Sequence, residues 1–174
     1  VVFLILDSQG DTIRNFSHKP KQGFHQISWN MRRDGVPYPS RREPRKDAAP
    51  PSGRSVLPGD YLLVGQFGEH KDSTMIKVHF DPRIDVDMDQ LKEQDAALAS
   101  YESLVERAAD GFDQLRNARA TVDIVNAAMV NAPDSTQENV RKLGKDLTKR
   151  IDDLMKLYMQ PEDLKGIHGA SYYL

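Results

Sequence analysis

Five histidines, His18, His25, His70, His79 and His168, are the side chains best suited to proton transfer or metal ligation, and their spacing serves neither. None sits at the short interval that lets one helix or loop present two rings to a metal. His25 and His79 would approach each other only across paired strands, and two imidazoles alone do not make a site. Asp85, Asp87 and Asp89 alternate like the first ligands of a calcium loop, but the glycine and distal glutamate of such a loop are missing. They read better as the acidic start of a helix, where negative charge meets the positive end of the dipole. Asp7-Ser8-Gln9-Gly10-Asp11 resembles a calcium turn and reads as an ordinary hairpin turn. Glu102, Glu106 and Asp110 lie at helical spacing and read as a solvated face.

Other chemistries have no foothold. There is no Gly-x-Ser-x-Gly elbow, phosphate loop or Gly-rich dinucleotide fingerprint. With no cysteine, disulfides, thiol catalysis and Cys-ligated zinc are excluded. The net charge of −2 gives no reason to expect nucleic acid. Arg32, Arg33, Arg41, Arg42, Arg45 and Lys46 could meet an anionic glycan or surface, but Asp34, Glu43 and Asp47 balance them, so a solvated loop is favoured. No apolar run reaches the length of a membrane span. The expectation is a chain without catalytic, cofactor-binding or metal-binding residues, and with any ligand site unassigned.

The elements that would position a site change character at Asp81-Pro82-Arg83. Before it, Val1–Leu6 is a continuous apolar run, the mark of a buried strand. The turn at 7–11 and the alternating segment 12–17 complete a hairpin. Phe24–Met31 places Ile27, Trp29 and Met31 at period two and is expected to be a strand with Trp29 in the core. Residues 34–59 are long, proline-rich and charged, and are expected to be an irregular surface loop. Strands follow at 61–67 and 73–80, where Ile76, Val78 and Phe80 define the apolar face. About five strands in 80 residues, with frequent turn signals, suit a β-sandwich.

After the seam, apolar residues recur every seven. One row is Leu91, Leu98, Val105 and Phe112, and a second is Tyr101, Ala108, Leu115, Val122 and Met129. Arg119 and Asn126 break the first row, and Leu104, Ala118 and Val125 take over part of the face. This is a helix packed along its length on another, over about 86–131. Gly111 inside it marks a bend or a close contact. Pro133 cannot continue the helix. Ser135 with Glu138 has capping-box spacing for a second helix over about 135–160. Its stripe is Val140, Leu143, Leu147, Ile151, Leu154 and Tyr158. The short connection makes the pair an antiparallel αα-hairpin. Pro161 ends the second helix, and Tyr172-Tyr173-Leu174 is an apolar tail.

Asp7, Gly10, Ile13-Arg14, Gly23-Phe24-His25 to Trp29-Asn30, Gly35 and Leu57-Pro58-Gly59-Asp60-Tyr61 together carry a resemblance. Residues 1–82 resemble the Ig-like domain first named for the flagellar hook-capping protein. With the loop at Ser40-Arg41-Arg42-Glu43-Pro44 and the helical segment, the chain is similar to the C-terminal region of large exported bacterial proteins with sortilin-type or glycosyl-hydrolase-like β-propeller repeats upstream. The insertion at 36–56 departs from the compact turn commoner there. The resemblance implies a secreted, periplasmic or surface location and an upstream domain as partner. The start on Val1 in mid-strand fits a piece of a longer chain.

The fold class expected is therefore two-part. An Ig-like or fibronectin-III-like β-sandwich, incomplete at its N-terminus, fills 1–82. A long antiparallel αα-hairpin fills 83–174. The function expected is a non-catalytic structural or interaction module, self-associating through the helical seam. A carbohydrate or surface-ligand module using the 36–56 loop, and an accessory domain of a propeller hydrolase, are the alternatives.

Overall fold

The computed structural model describes residues 1–129 and 133–159. In chain order its elements are β1 (Val2–Leu6), β2 (Thr12–Ser17), β3 (Arg32–Asp34), β4 (Ser52–Ser55), β5 (Gly59–Phe67), β6 (His70–Val78), α1 (Met88–Ala128) and α2 (Asp134–Met155). Strands come first and helices second. The chain divides into two compact units. One holds Val1–Pro37 and Arg45–Leu104, the other Tyr38–Pro44 and the chain from Val105 onward. The boundary thus falls within α1, after Leu104, and the first part of that helix belongs with the strands.

In the first unit, an antiparallel sheet runs in the order β2-β1-β5-β6, and β3 pairs with β4 in a separate ribbon. Register decides which side chains share a face. Phe3 lies opposite Phe16 and Gly65, Ile5 opposite Leu63, and Tyr61 opposite Ile76. This face carries the core of Ile5, Ile13, Val56 and Tyr61, with Phe16, Trp29, Leu63, Ile76 and Val78 packed against it. A bulge between β1 and β2 shifts the pairing after Ile5 and turns Ile13 into the core. Gly68, at φ 60, makes the two-residue connection from β5 to β6. Tyr61 donates its hydroxyl to the Leu57 carbonyl at 2.6 Å and meets Trp29 edge-on with centroids 5.6 Å apart.

Two strand expectations are corrected. Phe24–Met31 is not a strand, and the pairing starts only at Arg32. Met31 adopts φ 56, which breaks extended backbone, and its carbonyl accepts from the Val56 amide at 2.9 Å. Phe24 is almost fully exposed, and Trp29 is half-buried with its indole N–H on the Arg32 carbonyl. The 34–59 segment is not wholly irregular, because Ser52–Ser55 is β4. Gly35 and Gly53 make the ribbon possible: a Cβ on either would lie within 3 Å of the other's backbone. Asp34 also covers the outer edge of β2. Its carboxylate accepts from Arg14 Nη1 at 2.7 Å and the Asn15 amide at 2.9 Å, which blunts an edge that would otherwise offer free backbone groups.

Asp87 caps α1, accepting at Oδ1 from the amides of Asp89 (2.9 Å) and Gln90 (3.3 Å). At the seam, Asp81 accepts from the amide and guanidinium of Arg83, which holds the Asp81 carboxyl below its ordinary value. α2 starts differently from expectation. Pro133 is its N-cap, no side chain caps it, and the Pro133 carbonyl takes the Thr136 and Gln137 amides. The Ser135–Glu138 box does not form. The expected helix end at 131, the break at Pro161 and the 164–174 tail lie outside the described residues.

In the second unit, Val105, Ala109 and Phe112 are the buried positions of α1. The seven-residue row from Leu91 does not break at Arg119 and Asn126 but continues through them. Arg119 pairs with Asp152, and the Asn126 amide lies where a Cβ on Gly144 would meet it at 2.8 Å. Phe112 meets Tyr158 with centroids 6.1 Å apart, and Gly111 leaves room for the Tyr158 hydroxyl. Leu104 and Val125, expected to share the face, are exposed, as is Tyr101. In α2 the buried residues are Gly144 and Ile151, while Leu143, Leu147 and Leu154 of the expected stripe point to solvent. Two polar side chains and a glycine set this rotation, and none of them enters a hydrophobic count.

Gly144→Ala tests that contact. The alanine gains helix propensity of about 1 kcal/mol but collides with the Asn126 amide, so urea unfolding should show a net loss of about 1 kcal/mol or more. In an Asn126→Ala background the same substitution should become stabilising.

Candidate functional site

The first unit contains a groove of about 470 Å³. Its floor is the β4–β5 connection, Val56, Leu57 and Pro58, with Val78, His79 and Phe80 leaving β6. Leu91, Gln94, Asp95 and Leu98 of α1 form one wall, and Asn30 with Met31 the other. Met31 stands at the rim in its left-handed conformation, 52% exposed, a strained placement for a long side chain. The volume suits a small ligand or one or two side chains of a partner.

Arg54 holds the α1 wall in place. Its Nε donates to Asp95 Oδ1 at 2.7 Å, its Nη1 to Glu102 Oε2, and its own amide to Glu102 Oε1 at 3.0 Å. All three side chains are about four-fifths buried. Asp95 and Glu102 are seven residues apart and therefore on one helix face. This corrects the reading of Glu102 as solvated; Glu106 and Asp110 are indeed exposed. The signal was present in the carboxylate spacing, but only the fold supplies the arginine.

Among the described lining residues, Asp95 pairs with Arg54, and His79 is the other titratable side chain. His25 does not meet His79. Its Nδ1 lies 3.4 Å from His18 Nε2, and its Nε2 sits against the Lys21 backbone, all at the surface. Among the described residues, no group of three or more His, Asp or Glu could hold a metal ion. At the possible calcium turn, Asp7 Oδ1 accepts from the amides of Gln9 and Asp11, as a hairpin turn requires.

The basic cluster is dispersed. Arg32 donates to the Gly53 carbonyl, and Arg33 lies 3.7 Å from Asp7. The 38–44 stretch belongs to the second unit, where Arg116 donates to the Ser40 carbonyl at 2.8 Å. No described helix is long and apolar enough to cross a membrane.

Burial pushes the Tyr61 phenol above its ordinary value, with Arg33 opposing and Asp7 and Asp95 adding to the rise. The folded chain therefore keeps a proton that the unfolded chain releases near pH 10. Its contribution to stability is complete below that pH and is lost as pH rises through the folded value. Tyr61→Phe should cost about 1 kcal/mol at neutral pH, from the orphaned Leu57 carbonyl, and should flatten the alkaline fall in stability seen by denaturant titration.

Arg54→Met should cost about 2 kcal/mol, because it leaves two part-buried carboxylates facing each other. Lys77→Met, which removes an exposed pair with Asp60, should change stability by less than about 0.5 kcal/mol in the same denaturant assay. Comparison of the chain with protein-family models, curated proteins and solved structures finds no match.

Proposed function

We propose that this chain is a non-catalytic interaction module of a larger secreted or surface bacterial protein, and that it docks through its β-sheet against a neighbouring domain of that protein. One observation carries the reading: β1 and the middle of β5 are apolar on both faces of the sheet. Opposite the core face, register places Val2, Leu4, Leu6, Leu62, Val64 and Met75 together. Val64 is buried, whereas Val2 and Met75 are 40% and 63% exposed. A sheet with water on one side alternates apolar and polar residues, and β1 does not. Its continuous apolar run fits a strand covered on both sides.

The Ig-like resemblance gains support from Tyr61, whose hydroxyl reaches back four residues to the Leu57 carbonyl in the manner of a tyrosine corner. On this reading, the four-stranded sheet and the β3–β4 ribbon are a reduced sandwich. We read the helices as an antiparallel hairpin. The contacts Phe112–Tyr158, Arg119–Asp152 and Asn126–Gly144 support it, since one partner number falls as the other rises. Such a hairpin would serve as a spacer or docking arm. A ligand module using the 36–56 loop draws support only from Ser55 and Val56 at the groove.

The test is amide NMR of the labelled chain titrated with the polypeptide that adjoins it in its parent protein. Shifts should centre on Val2, Leu4, Leu62 and Met75, and Val2→Asp with Met75→Asp should weaken binding at least about tenfold. Shifts confined to 36–56, or hydrolytic turnover lost on a point substitution, would overturn the reading.

A further inference from the structure

α2 carries two rows. Its inner row meets α1 through Gly144 and Asp152 and buries Ile151. Its outer row is Val140, Leu143, Leu147, Arg150 and Leu154, at steps of 3, 4, 3 and 4, with Leu157 three residues further on in the turn after the helix. That is the seam spacing of a coiled coil. Leu143, Leu147, Leu154 and Leu157 are 60%, 39%, 48% and 77% exposed. Three leucines on one helical seam, turned away from the helix they were expected to meet, form a coherent apolar patch with Leu157 just beyond the helix end.

We propose that this row is the contact face of an antiparallel dimer of the chain, α2 against α2, a proposal that rests on the interaction-module reading and names one of its partners. Charge selects a second copy. Arg150, the one polar member of the row, holds Asp146 at 2.9 Å. In a parallel pair, Arg150 would face Arg150 of the second copy, bringing like charges together. In an antiparallel pair with the two-fold axis between Thr148 and Lys149, Leu147 faces Arg150 of the second copy and Leu143 faces its Leu154. Each Arg150 then also lies beside Asp146 of the second copy, so the two cations and two anions alternate around the axis. The flank beside the row carries Lys142, Lys149 and Lys156 with Asp146 and Asp153. Both signs are interspersed there, which suits a self-complementary isologous contact better than a strongly acidic or basic partner. A single polar residue in such a seam fixes register at some loss of affinity.

The absence of cysteine makes the register directly testable. Full-length Leu143→Cys and Leu154→Cys proteins should cross-link when mixed under oxidising conditions. Neither should do so alone, because like positions would stand about 16 Å apart along the axis. Sedimentation equilibrium should show a concentration-dependent rise toward twice the chain mass. Leu147→Glu should weaken this at least about tenfold with unchanged circular dichroism, and Arg150→Leu should strengthen it. A single chain mass at all concentrations, a dimer indifferent to Leu147→Glu, or cross-linking of Leu143→Cys alone would each overturn the proposal. A monomer whose sheet face still binds the adjoining polypeptide would sink the dimer and leave the module reading standing. A dimer with hydrolytic turnover would do the reverse.

Discussion

Arg54 is the constraint on which the first unit depends. It sits on β4, a strand of four residues with little apolar surface of its own. A ribbon of that size has no independent stability in water. Its backbone amide and guanidinium together satisfy Glu102 and Asp95, so a short strand is held to two turns of helix by charge-assisted hydrogen bonds. The groove follows from that bond. Val56, Leu57 and Pro58 continue directly from β4, and Leu91 and Leu98 flank the carboxylates. Arg54 thus joins β4 to the stretch of α1 that carries Asp95, one of the groove's lining residues.

Polar specification recurs in the second unit. Arg119 and Asn126 occupy the seven-residue row that Leu91, Val105 and Phe112 begin, and they meet an aspartate and a glycine. A hydrophobic count treats such positions as breaks. Physically they are the points where the helices come closest or pair their charges, and they choose which face of α2 turns inward. Once Gly144 is the contact, Leu143 and Leu147 must lie to the side of it, because successive helix positions are rotated by about 100°. The exposed leucine row is a consequence of that choice.

The β-sheet shows a related economy. One face is completed within the chain by Ile13, Trp29, Tyr61 and Val56. The other carries Val2, Leu4, Leu6, Leu62 and Val64 at its centre, with Met75 open beside them and Asn15, Gln66 and Ser73 around them. An edge-blunting carboxylate protects β2, so the free apolar area is on the sheet face rather than along that strand's backbone. The features with the clearest physical purpose among the described residues are contacts.

What the sequence determined by itself is the strands-then-helices order and the approximate extent of six of the eight described elements. β1, β2, β5, β6 and both helices were legible from apolar runs, alternation, turn residues and the seven-residue rhythm, and Asp87 capped α1 as its charge and position imply. These signals are local, so each segment carries its own. The tertiary structure decided the rest. Phe24–Met31 has strand periodicity, but periodicity records where side chains would point and says nothing of whether a neighbour supplies hydrogen bonds. Ser52–Ser55 has almost no strand signal and pairs because two glycines allow the backbones to approach. Glu102 looked solvated because its arginine lies 48 residues earlier in the chain. Which side of α2 is buried was settled by a glycine and an asparagine, through steric fit between helices that no single-helix pattern records.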